Sequence, residues 1–127
     1  GVEVEEHVCA DADEMMDAVR RSLHALIVRD RLPNDRVVVL SIHGLANSDV
    51  WRTRRFGSLE LVEYPAQPKA NQVAFSSLHR FKGLEADAVI MCEIQPGQPS
   101  ASVRHLYVGS SRARHVLHVL RYGQPDC

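Results

Sequence analysis

Residues 36–42 read RVVVLSI, a nearly continuous apolar run without alternation. A strand with one wet face alternates apolar and polar residues, because successive side chains point to opposite sides. This run leaves no polar side, so both of its faces must be covered, the pattern of a central strand in a parallel sheet. Residues 87–94 (DAVIMCEI) and 115–122 (HVLHVLRY) carry further strand sequence of this buried kind. Parallel strands need crossover segments between them, and the segments available here decide the fold.

The first crossover is the plainest. "DADE" places Asp11 as an N-cap with Glu14 three residues later, a capping box. Met16, Val19, Leu23, Leu26 and Ile27 then recur at the spacing of one helical face. Acids crowd the first turns (Asp11, Asp13, Glu14, Asp17) and arginines the last (Arg20, Arg21, Arg29), and both placements suit the helix dipole. The spacing predicts a helix over 12–30, preceded by a short strand at 2–8. Further on, GLANSDVWRTRR suits a short helix capped by Asn47 or Ser48, and residues 59–64 (LELVEY) alternate as a strand. A strand at 73–76, a turn or short helix near 81–86 and the strand at 87–94 follow. Residues 102–113 fit a helix with Val103, Leu106 and Tyr107 on one face. Strands alternating with helices imply a three-layer α/β domain, a mostly parallel sheet with helices on both faces. Ligands of such sheets gather beyond the C-terminal strand ends. The loops after residues 42, 76 and 94, and the turn before 115, are therefore the places to look.

Composition narrows the function. A chain of 127 residues suits a single domain over 1–127. Its formal net charge of −1 supplies no global basic field, so a nucleic acid would have to meet a local patch. There is no apolar stretch of membrane-spanning length and no signal peptide. Cys9, Cys92 and Cys127 have no paired spacing, and Cys92 reads as a reduced core thiol, which suits a cytoplasmic protein. The chain starts at Gly1 and almost at once in strand sequence, as a piece cut from a longer polypeptide would. Seven histidines invite a metal, but C-x-x-C and H-E-x-x-H are absent. His115 and His118, three apart on a strand, face opposite ways, so no metal site is expected.

Three stretches carry chemistry. WRTRRFG (51–57) interleaves arginines with Trp51 and Phe56. Such a stretch can grip phosphates and stack bases, but the plainer and preferred reading is a solvated helix end anchored by its two rings. SSRARH (110–115) follows two hydroxyls with Arg112 and Arg114, which suits either an anion contact or a basic helix C-terminus. FSSLHRFKGLEADAVIM (75–91) sets Ser76, Ser77 and His79 just past a strand, then a Lys82-Gly83 turn and Glu85. No G-x-x-x-x-G-K-(S/T) occurs anywhere in the chain. Read bare, the stretch is a loop with a capping glutamate, or a carboxylate placed to meet a ribose.

Taken together, SSLHRFKGLEADAVIM and LYVGSSRARHVLHVL resemble the last two motifs of superfamily 1 helicases of the UvrD/Rep type. In that family the first reads roughly (S/T)-x-H-x-x-K-G-L-E and the second L-x-Y-V-(A/G)-x-(S/T)-R-A-(R/K). The resemblance is close over about 73–120 and looser over the helix at 12–30 and the strand at 36–42. It implies the family's second, C-terminal RecA-like domain, a P-loop NTPase-like fold. The implied parent is an ATP-dependent DNA helicase or translocase, acting on single-stranded or partly duplex DNA beside an N-terminal RecA-like domain.

Roles follow position by position. Arg112 matches the arginine finger that reaches the γ-phosphate. Glu85 matches the ribose-binding glutamate, and Gly83 lies in the turn that lets the backbone approach. Ser77 and His79 match the hydroxyl and histidine beside the single-stranded DNA, and Lys82 fits either a phosphate contact or an ion pair. ATP and Mg would be held mainly by the other domain, because this chain has no Walker A sequence, D-E-x-x or glutamine motif. Alone it should be inactive. Two other readings stay open, a non-catalytic binding module built on a helicase fold and the motor segment of a helicase–nuclease, and RNA is an alternative substrate.

Overall fold

The computed structural model describes residues 3–78, 80, 86–96 and 113–123, the last segment with side chains from 115 onward. Within them, seven strands form one sheet: β1 (Glu3–Cys9), β2 (Val37–Ser41), β3 (Arg55–Phe56), β4 (Leu59–Glu63), β5 (Gln72–Ser77), β6 (Ala86–Ile94) and β7 (Ala113–Tyr122). Their order across the sheet is β1-β7-β6-β2-β5-β4-β3. All neighbours run parallel except β3 and β4. The expected sheet is present, with a short antiparallel edge where the sequence suggested only the end of a helix. Gly57, at φ +63°, makes that turn.

Strand β2 lies between β6 and β5, and all five of its residues are buried. Val37 and Val39 join Val73, Phe75, Ala88 and Ile90 on one face, while Val38 and Leu40 join Val89, Met91, Leu117 and Val119 on the other. The run without alternation is thus buried on both sides.

Helix α1 (Ala12–Leu23) continues as a π-helical stretch over His24–Arg29, so the helix expected at 12–30 is real but changes its winding. Asp11 Oδ1 accepts from the Glu14 N–H at 2.9 Å, and the Glu14 carboxylate reaches back to the N–H of Ala10. Met15, Ala18, Val19, Leu23 and Leu26 are buried on the first face of the sheet, with Met16 and Ile27 at the margin. Helix α2 (Asp49–Thr53) packs on the same face through Val50 and Trp51. Both described α-helices therefore cover one side. The opposite face is equally buried, and the helix expected at 102–113 lies outside the described residues, so a layer of helices there is not part of the described structure.

One irregularity in β6 organises the junction with α2. The pairing with β7 shifts between Met91 and Ile94, and Glu93 has φ +62°. Cys92 belongs to the helix-side cluster and Ile94 to the opposite one, so the bulge interrupts the alternation. It turns the Glu93 carboxylate toward α2, where the group is 1% exposed. Oε1 accepts from Ser41 Oγ at 2.8 Å and from Ser48 Oγ, and Oε2 from the N–H groups of Asp49 (2.9 Å) and Val50 (3.4 Å). Ser48 Oγ in turn accepts from the Trp51 N–H, capping α2. A buried carboxylate is tolerated when it is met by donors in this way. Burial, then the neighbouring Glu93 carboxylate, pushes the Cys92 thiol well above its ordinary range, which favours the neutral, inert form.

At the far edge, β1 pairs with β7 from Glu3↔Val116 to Cys9↔Tyr122. His118 lies buried beneath α1, with Nδ1 2.9 Å from Ser22 Oγ and Nε2 2.9 Å from Glu5 Oε2. A neutral imidazole with its proton on Nε2 satisfies both contacts, accepting from the Ser22 hydroxyl and donating to the carboxylate. Burial lowers the His118 pKa below its ordinary 6.5, with Glu5 opposing and His7 and Arg29 assisting.

Two predictions follow from these buried groups. Glu93→Ala leaves two hydroxyls and two N–H groups without their acceptor, and should cost about 3 kcal/mol or more in urea denaturation, with Glu93→Gln costing less. An alanine variant as stable as the wild type would show that the carboxylate does not hold this junction. Because the folded pKa of His118 is depressed, its neutral form contributes stability that is complete above pH 6.5 and is lost as pH falls toward and through the folded value. The wild-type urea midpoint should therefore drop across that window more steeply than that of His118→Gln. Parallel curves for the two proteins would refute the assignment.

Candidate functional site

The ends of β2 and β5 meet at one edge of the sheet. Ser41 and Ser77, the last residues of the two strands, are register partners. The Leu78 N–H donates to Ser41 O at 2.8 Å, and the Arg80 N–H donates to Ser77 O at 3.1 Å, which turns the chain back over the edge. Ser77 is half-buried, and Ser76 Oγ donates to its carbonyl at 3.0 Å. A cleft of about 110 Å³ opens beside Ser77, walled by Gly44, Leu45 and Tyr64 and lipped by Glu63 and Arg80. Arg80 Nη1 donates to Glu63 Oε1 at 3.0 Å across that lip. A hydroxyl and a guanidinium at a strand's C-terminal end are donors suited to an anionic backbone. The motif reading singled out Ser77 and passed over Glu63 and Arg80. Neither carries a local signal, because the contact joins two strand ends that are distant in sequence.

His79, Lys82, Gly83, Glu85 and Arg112 lie outside the described residues, as does the serine pair at 110–111. The strands that follow them are described. Ala86 and Ala113 open β6 and β7 and are register partners. Those two residues mark the N-terminal edge of the sheet, and Glu85 and Arg112 immediately precede them in sequence. The rule that favours C-terminal strand ends bears on Ser77. The nine residues of β6 set the edges roughly 26 Å apart at ~3.3 Å per residue.

The remaining candidates resolve plainly. In WRTRRFG, Trp51 stacks on Phe75 with centroids 5.3 Å apart, and the Arg54 guanidinium lies 3.7 Å above the Trp51 ring. Arg52 pairs with Asp49, Arg55 with Glu60, and Phe56 is buried. The plainer reading, a helix end anchored by its rings, holds. A larger cleft of about 220 Å³ lies between α1, β1 and β7. Its polar floor is the Ser22–His118–Glu5 chain, and its arginines, Arg21 and Arg29, already pair with Asp17 and Asp30.

The N–H groups that open α2 stand after a strand and a turn, where a phosphate could be received, but the Glu93 carboxylate already takes them. Among the described residues no three His, Cys, Asp or Glu side chains converge on a metal position, and no helix is long and apolar enough to cross a membrane.

Residues 72–120 match the family model of the UvrD-like helicase C-terminal domain, a span that contains both motifs. A solved structure from Lactobacillus plantarum WCFS1, described as the C-terminal domain of a possible DNA helicase, has the same fold. Its TM-score is 0.65 at 22% identity, covering 97% of this chain and 74% of that one. No curated protein matches the chain. The likeness read from the two motifs is thereby borne out: residues 72–120 match the UvrD-like helicase C-terminal domain, and the chain shares the fold of such a domain.

Proposed function

We propose that this chain is the C-terminal motor domain of an ATP-dependent DNA helicase or translocase. The observation that carries the reading is the family match over 72–120, which spans Ser77, Glu85 and Arg112 in one segment. ATP with Mg would be held mainly by an N-terminal RecA-like domain, since the Walker A sequence does not occur in this chain. Glu85 and Arg112 supply an acceptor and a set of donors suited to part of such a site. The carboxylate accepts from a ribose hydroxyl, Gly83 lets the backbone approach, and Lys82 adds a positive charge nearby. Arg112 donates to oxygens of the γ-phosphate and stabilises the charge that develops there, a contribution on the order of 10³–10⁵ in rate.

Ser77 and His79 would contact single-stranded or partly duplex DNA, Ser77 from the C-terminal end of its strand. Strand β6 lies between the two edges in the same sheet, and its pairing with β2 and β7 makes it stiff.

Joined to its N-terminal half, the protein should show DNA-stimulated ATP hydrolysis that falls by at least 10³-fold in Arg112→Lys, on the order expected for a finger, with nucleotide binding largely kept. The chain by itself should hydrolyse none. ATP turnover by the isolated chain at a rate indifferent to Arg112→Lys would end this reading.

A further inference from the structure

We propose that Arg80 is a phosphate contact of the DNA track and that Glu63 restrains it when no strand is bound. The inference rests on the reading of Ser77 as part of that track. Arg80 stands one turn from Ser77, tied by its own N–H to the Ser77 carbonyl at 3.1 Å. Its guanidinium projects over the mouth of the cleft and is held there by Glu63, the last residue of the neighbouring strand β4. Both side chains are about half exposed, at 57% and 46%.

Exposure decides what the pair can do. An exposed ion pair contributes little to stability, about 0.2–1 kcal/mol. It gives a weak hold on Arg80 and a precise aim. A guanidinium carries five N–H donors in a planar fork that matches a phosphate in two-point contact. The contact with Glu63 uses Nη1. A phosphodiester arriving beside Ser77 can therefore take over the guanidinium by displacing one exposed carboxylate. Glu63 then faces the bound backbone with its charge uncompensated. That repulsion limits affinity and favours release, which a moving track needs.

The test is the salt dependence of binding of the chain to a fluorescently labelled oligothymidylate. For a single strand, each phosphate neutralised adds about 0.7 to the slope of log K against log salt. Arg80→Gln should flatten the slope by about that amount and Arg80→Lys should keep it. Glu63→Gln should tighten binding about 1.5–5-fold, the weight of an exposed pair. In an Arg80→Gln background the same change should tighten binding clearly less, because only the repulsion between Glu63 and the backbone is then removed. Urea midpoints of all variants should stay close to the wild type, since the pair is exposed.

An unchanged slope in Arg80→Gln, with the wild type binding normally, overturns the assignment and leaves the motor-domain reading standing. Equal tightening by Glu63→Gln with and without Arg80 shows a general repulsive charge and overturns the restraint. Wild-type binding with no salt dependence at all removes the strand surface itself, and the role of Arg80 with it.

Discussion

The burial of β2 and β6 on both faces is the constraint from which the rest of the molecule follows. Val38 and Val39 are successive residues facing opposite ways, and neither meets water. A strand of that kind cannot sit at an edge, and it cannot be reached by a tight hairpin from a parallel neighbour. The chain must leave each strand end, cross a face and return. That requirement puts α1 on one side of the sheet and turns both edges into clusters of loops. Ser77 ends β5 at one of those edges, and Arg80 follows it. A fully apolar centre thus leaves recognition to be carried by a few hydroxyls and charges at the rims.

Much of this was legible in the sequence because it rests on local pattern. The RVVVLSI run announces a buried strand, Asp11 with Glu14 announces a helix start, and Ser48 announces α2. What escaped depends on pairing between distant residues. Nothing near β7 indicates that it inserts between β1 and β6. The two residues of β3 are too few for any period. Glu93 reads as one acid in an apolar strand, and only the fold reveals that four donors converge on it. A lone glutamate within AVIMCEI was still a usable signal, since a buried charge requires partners.

The candidate site was legible for a different reason. Its residues are spaced along the chain in a pattern specific enough to be matched as a whole, whereas no single element of it is informative. Ser77 ends β5 and is the register partner of Ser41. Arg80 lies inside the same stretch, yet the motif leaves its position open, and its partner comes from β4. The arginines of WRTRRFG show the converse. Their composition suggests recognition, and their contacts are spent on Trp51, Asp49 and Glu60. Composition can nominate a patch, but only the partners of each charge decide whether it has anything left to offer.

The pairing of β1 with β7 has a consequence for how the molecule comes into being. Residues 3 and 116 are register partners, so β1 has no partner on that side until β7 has been synthesised. During translation, β1 must wait as an unpaired strand while α1 forms behind it and the middle of the sheet assembles. Contacts of such wide sequence separation form slowly, and an open strand is a point of misassembly in the interval. Glu3, Glu5 and Glu6 make that wait safer, because their like charges discourage two nascent copies from pairing through this edge. The acidic strand that reads as unremarkable in the finished fold thus acts before folding is complete.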